Sequence, residues 1–309
     1  MSFNMHYTVN QLSNAKSGNH GHQLKNYFGA RALGEVLNLS YVHTPYEYLD
    51  FFRPPRKFKI VDTDCYDEVV DITKTFWNGF SSFYMLNKTL RKLDGFAGFF
   101  NAPQDKKILF RFGSNFRVHP FQTIPWYRDG LIEKDVFSIL TNEVSGSFHK
   151  EHINKRKTND KMFVAIHMNF YHNTGLTSDY PRYRFSMEYY ENAMSNIEMK
   201  FGKSKNVEYH IYSEQCGSKK IIERFNGKKN VFIHIGDSRE SCNSLQIESI
   251  FKDFVDSDIL VCSNSSFSVV ASYYRNLKGK LTIYHPHMHL KNMPNDHFIA
   301  IGKLGKEAA

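Results

Sequence analysis

From Met162 onward, short apolar runs alternate with stretches of helical period. Met162 to Ile166, Val207 to Ser213, Val231 to Ile235, Ile259 to Cys262 and Leu281 to Tyr284 read as strands. Between them, Met187 to Phe201, Ser218 to Phe225, Ser244 to Val255 and a segment opening near Phe267 read as helices. This regular strand and helix alternation predicts a parallel, Rossmann-like sheet covered on both faces.

The first half is less regular. Leu24, Phe28, Ala32 and Val36 recur every four positions, which predicts a helix over Gln23 to Leu37, followed by a strand at Leu39 to Val42. Phe58 to Val61 and Lys107 to Phe112 are further strand candidates. The aromatic-rich stretches Phe76 to Leu86 and Phe96 to Phe100 show no resolvable period. The polar, charged segment from Ser145 to Asp160 separates the halves, so two domains are expected, 1–150 and 151–309.

Composition narrows the class without naming a function. A chain of 309 residues with 41% apolar and 15% aromatic content can form two cored globular domains. No run approaches the ~20 apolar residues of a membrane span, and the first residues have no basic-then-apolar leader pattern. A soluble, cytoplasmic protein is the expectation. Cys65, Cys216, Cys242 and Cys262 are scattered, which signals neither a zinc site nor a disulfide framework. The triplets headed by Asn38, Asn87 and Asn264 are read as accidental glycosylation matches.

The net charge of +9 fits nucleic acid, an anionic membrane or an anionic small ligand. It is diffuse, its densest run lies from His149 to Lys157, and no RNA- or DNA-binding motif accompanies it. A local basic pocket for an anionic small ligand is the reading that asks least of the chain.

Candidate chemistry concentrates in three places. Ser263, Asn264, Ser265 and Ser266, then Phe267, follow a short apolar strand and open a helix. Such a turn caps the helix and offers N–H groups and hydroxyls to an anion. Gly18, His20 and Gly21, just before Gln23, form a second loop, where glycines let backbone approach a ligand. The third place is the end of the strand carrying His167 and Asn169.

Taken together, these motifs resemble the GT-B fucosyltransferases of the α1,2 and the core and Nod-factor α1,6 families. The resemblance rests on Gly18, Gly21, Gln23 and Leu24, on His167, on the Tyr189-Tyr190 helix, on Ser213 and Glu214, and on the serine turn. It covers Gly18 to Leu24 and about Met162 to Tyr274. It implies an α/β, GT-B fold, two Rossmann-like domains with the donor cleft between them. It also implies transfer of L-fucose from GDP-fucose onto a glycan hydroxyl, with inversion, no bound metal and no further cofactor.

Residue by residue, it places the donor at Gly18, Gly21, His167, Asn169, Ser213, Glu214, Glu248, Ser265, Ser266 and Phe267, and the acceptor at His20 and Gln23. Two departures stand out. Where the family has the arginine of a His-x-Arg motif, this chain has Asn169, so Arg182 or Arg184 is expected to supply the charge. Where core-type enzymes have a glutamate ten positions after that histidine, this chain has Thr177, so Asp179, with His172 behind it, is the candidate base.

Those departures keep another donor such as UDP-xylose open, and also a sugar-nucleotide or glycan binder without catalysis. Two metal readings compete. Asp62 and Asp64 have the D-x-D form of a cation-dependent transferase, as do Asp256 and Asp258. His285, His287 and His289 stand two apart.

Overall fold

The computed structural model describes residues 3–7, 27–28, 30–32, 34–35, 40–42, 63–71, 107–112, 129–130, 135–140, 161–168, 185–214, 218–236, 244–263, 265–276, 280–284 and 298–300. The chain divides into two compact units, Met1–Glu151 and His152–Ala309.

The first unit carries a four-stranded sheet of β1 (Phe3–Tyr7), β2 (Ser40–Tyr41), β3 (Glu68–Asp71) and β4 (Ile108–Phe112), in the order β2-β1-β4-β3. Every pairing is parallel. The expected strands near residues 40 and 108 are present. The candidate at Phe58 to Val61 lies outside the described residues. β1 and β3 are additions to the expected set. In β1, Phe3, Met5 and Tyr7 alternate with Asn4 and His6, a strand period that is legible but short.

Helical residues between 27 and 35 bury Tyr27, Phe28, Ala30 and Ala32. Arg31 is buried on the same helix, bonded to Glu35 at 2.9 Å, with its guanidinium 5.4 Å from the centre of the Tyr41 ring. The helical turn at 136–140 is capped by Asp135, whose carboxylate accepts from the backbone N–H of Ser138 at 3.1 Å and its hydroxyl at 2.8 Å.

The second unit is a six-stranded parallel sheet. Its strands are β5 (Lys161–Met168), β6 (Asn206–Glu214), β7 (Val231–Gly236), β8 (Ile259–Val261), β9 (Leu281–Tyr284) and β10 (Phe298–Ala300). The helices are α1 (Met187–Phe201), α2 (Ser218–Phe225), α3 (Ser244–Asp256) and α4 (Ser266–Asn276). These follow the sequence pattern closely, with β10 as the element it did not signal. The strand order is β10-β9-β8-β5-β6-β7, and all pairings are parallel.

Numbered within the unit and read from the other edge, that order is 3-2-1-4-5-6, the doubly wound arrangement of dinucleotide-binding sheets. The two helix layers can be assigned from side-chain parity. Tyr209 and Tyr212 point to opposite faces of β6. The Tyr209 hydroxyl donates to the carbonyl of Met194 in α1, whereas the Tyr212 hydroxyl donates to Asp253 in α3. Arg224 of α2 joins Glu191 of α1 at 2.6 Å, so α1 and α2 share one layer.

The core lies on both sides of β5 and β8. Val164, Ala165, Ile166, Leu260 and Val261 are fully buried, as expected for central parallel strands. Each such aliphatic side chain contributes about 1.5–3 kcal/mol when withdrawn from water. Asp258, just before β8, accepts from the backbone N–H of Phe163 at 2.8 Å and returns its own N–H to the Phe163 carbonyl at 2.8 Å. This reciprocal pair fixes the register of the two central strands at their amino ends.

Candidate functional site

In a 3-2-1-4-5-6 sheet the chain leaves the first and fourth strands in opposite directions, which opens a crevice at their carboxyl ends. Here those strands are β5 and β8. His167 is the penultimate residue of β5, and Ser263 follows the end of β8 by two positions. Their side chains meet, with Ser263 Oγ 2.9 Å from His167 Nδ1. Residues 96 apart in sequence are thus joined at the switch point of the sheet.

The serine turn divides its labour in a way composition does not reveal. Ser265 is the N-cap of α4: its hydroxyl accepts from the N–H of Phe267 at 3.3 Å, and its carbonyl accepts from Val269 at 3.1 Å. Ser268 is buried and donates to the carbonyls of Ser263 at 3.2 Å and Ser265 at 3.3 Å, closing the turn on itself. Ser263 is buried too. Of the four hydroxyls, those of Ser265 and Ser266 remain on partly exposed residues. The N–H groups of Ser266 and Ser268 have no acceptor among the described residues. A helix start with open N–H groups and a positive dipole end favours an anion.

Around this helix start the walls are aromatic. The His167 ring lies 5.1 Å from the Phe254 ring and 6.2 Å from that of Phe267, centre to centre. Burial pulls the His167 pKa down to about 3, so the imidazole is neutral at ordinary pH. Cys262, beneath the turn, is fully buried with its thiol pushed up to about 12 by burial, which makes it a packing residue and not a nucleophile. The phenol of Tyr189 donates to the Cys262 carbonyl at 2.9 Å, so α1 supports the turn from the other layer. Tyr190 and Ala193 of the same helix are buried against the sheet.

Ser213 and Glu214 end β6 on this same carboxyl edge, where Ser213 pairs with Met168 and Ile235 and is buried. Glu248 is partly buried in the second turn of α3, the helix that leaves this edge after β7. The structure therefore gathers His167, Ser213, Glu214, Ser265, Ser266 and Phe267 at one end of the sheet. Gly18, His20, Gly21, Gln23, Asn169, His172, Asp179, Arg182 and Arg184 lie outside the described residues, as do Asp62 and the histidines at 285, 287 and 289.

The acidic pair at 256 and 258 belongs to the opposite, amino end of the sheet, where the Asp258 carboxylate is engaged with Phe163. Asp64 is exposed in a short 3-10 turn, Thr63–Cys65. Among the described residues no group of three or more His, Cys, Asp or Glu side chains could hold a metal ion. No described helix is long and apolar enough to cross a membrane.

One buried group was not foreseen. Arg275, near the end of α4, is fully buried and donates to the carbonyls of Phe254 at 2.7 Å, Ser257 at 2.6 Å, Asp258 at 3.0 Å and Leu281 at 2.8 Å. It caps the C-terminus of α3 from a distance, since the last carbonyls of a helix lack internal partners. Lys280 adds a second cation to the Asp256 carbonyl. A lone Arg in a helical pattern gives no sign of such a role. Burial lowers its pKa to about 9, which leaves it charged at neutral pH.

No protein-family model matches this chain, and no curated protein sequence does. Among solved structures it is similar to NodZ α-1,6-fucosyltransferase soaked with GDP-fucose. The two are 12% identical, with 88% of this chain and 92% of that chain covered, at a TM-score of 0.40.

Proposed function

We propose that the protein is a glycosyltransferase that moves a sugar from a nucleoside-diphosphate donor onto a glycan hydroxyl. The observation that carries this reading is the α4 start, where the N–H groups of Ser266 and Ser268 have no acceptor among the described residues, beside the His167–Ser263 pair at the carboxyl ends of β5 and β8. A doubly wound sheet binds nucleotides at that place, and a helix start neutralises a diphosphate without a metal. The order of the sequence motifs, from the glycine loop to the serine turn, supports a fucosyltransferase-like enzyme and GDP-fucose as donor. Another nucleotide sugar, such as UDP-xylose, is the alternative for which the Asn169 and Thr177 departures leave room.

In the reaction, the acceptor oxygen bonds to the anomeric carbon as the bond from that carbon to the diphosphate breaks. The electron pair leaves with the diphosphate, where the N–H of Ser266, the hydroxyls of Ser265 and Ser266 and the positive end of the α4 dipole stabilise the developing charge. The acceptor proton passes to a base, for which Asp179 is proposed, with His172 as second choice. Inversion at the anomeric carbon follows from attack opposite the leaving group. His20 and Gln23 are proposed on the acceptor side, and Glu248 on the donor ribose.

The test is release of nucleoside diphosphate from GDP-fucose and UDP-xylose, with and without a glycan acceptor, in the presence and absence of EDTA. Acceptor-dependent release that survives EDTA is expected. Loss on chelation, restored by manganese, would move the chemistry to Asp62 and Asp64. Tight donor binding with no turnover would favour a binding protein instead.

A further inference from the structure

The hydrogen-bond distances around the serine turn favour one placement of the proton on His167. A serine hydroxyl has one hydrogen to give. That of Ser268 is committed to the carbonyls of Ser263 and Ser265, at 3.2 and 3.3 Å. The hydrogen of Ser263 then has two acceptors within reach, His167 Nδ1 at 2.9 Å and Ser268 Oγ at 3.4 Å. The nearer, an aromatic nitrogen lone pair, is the better acceptor. A neutral imidazole that accepts at Nδ1 carries its hydrogen at Nε2.

We propose that Ser263 is a positioning residue that locks His167 in the Nε2–H tautomer, so that the crevice presents a neutral N–H donor to a phosphate oxygen of the nucleotide sugar. This rests on the glycosyl-transfer reading for the identity of the ligand, though not for the tautomer. Nε2 has no acceptor among the described residues. The aromatic walls of Phe254 and Phe267 keep the ring uncharged, in line with its lowered pKa. The consequence for specificity is concrete. A fixed neutral donor recognises an oxygen by direction and not by charge, and the turn's hydroxyls are divided between ligand (Ser265, Ser266) and histidine (Ser263).

The experiment is 15N NMR of the imidazoles in the full chain labelled at its 15 histidines, with His167→Gln used to identify the His167 signals. The expected result is an unprotonated Nδ1 and a protonated Nε2, unchanged as pH falls through about 6.5, the ordinary imidazole value. Inorganic pyrophosphate should then shift the Nε2 signal. Ser263→Ala should release the tautomer preference, and Ser263→Thr, which keeps the hydroxyl, should restore it. A proton on Nδ1 in the wild-type protein, or titration near 6.5, would overturn the proposal even if Ser263→Ala fails to fold. Pyrophosphate that leaves Nε2 unmoved would overturn its ligand half. Should the tautomer hold and pyrophosphate bind while no nucleotide sugar is turned over, the glycosyl-transfer reading fails and the role of Ser263 stands.

Discussion

The His167 imidazole packs 5.1 Å from the Phe254 ring, centre to centre, and this apolar wall holds it neutral. In the unfolded chain the same ring takes up a proton below about 6.5, whereas the folded pKa is about 3. The unfolded state therefore binds more protons throughout that interval, and stability falls as pH drops from about 6.5 toward 3. His167→Gln removes the titrating group and keeps an amide N–H. Its urea-unfolding midpoint should lose less than that of the wild type over the same interval. Equal acid slopes would contradict a neutral, desolvated His167.

Arg275 is expected to matter for stability and not for ligand binding. Its guanidinium fork serves carbonyls in α3, before β8 and in β9, so Arg275→Met would leave several buried acceptors unpaired. A loss of roughly 3 kcal/mol or more is expected, from hydrogen bonds to a charged donor at ~1.5–3 kcal/mol each. Arg275→Lys should recover little, because one ammonium cannot span the fork. Chemical denaturation gives the answer, and a change under about 1 kcal/mol would sink this role.

Ser266→Leu probes the helix start. Ser266 is partly exposed and makes no side-chain hydrogen bond among the described residues, so the fold should tolerate the change. Donor binding should fall below detection in calorimetry while the unfolding temperature without ligand stays close to wild type. Wild-type affinity in the variant would place the diphosphate elsewhere.

For the base, Asp179→Asn should lower kcat by ~100- to 10,000-fold with donor affinity nearly unchanged, the usual worth of general-base catalysis. His172→Ala should be mild. The reverse pattern would make His172 the base, and near-normal kcat in both would remove the pair from the mechanism.

How much of this was legible in the sequence varies with the physics of each element. The strands and helices of the second unit were readable because central parallel strands are continuous apolar runs and their helices are amphipathic. Short, edge-forming β10 has only Phe298-Ile-Ala to announce it, and β3 only two valines between acids, so neither stands out from loop.

The serine turn was legible as a helix start. Its internal division was not, because Ser263, Ser265 and Ser268 share one chemistry and differ only in burial and partners. The role of Arg275 was hidden for a related reason: its acceptors are backbone carbonyls, which no residue type marks.

The measurement that bears most directly on the site is thermal unfolding of the full chain with a panel of GDP- and UDP-sugars, repeated on Ser266→Leu. A true donor at ~100 times its dissociation constant should add ~2.7 kcal/mol to the wild-type protein. One nucleotide class is expected to do so, GDP-fucose first, and to have no effect on the variant. If no nucleotide sugar stabilises the wild-type protein, or if one stabilises both proteins equally, the start of α4 is not a diphosphate site.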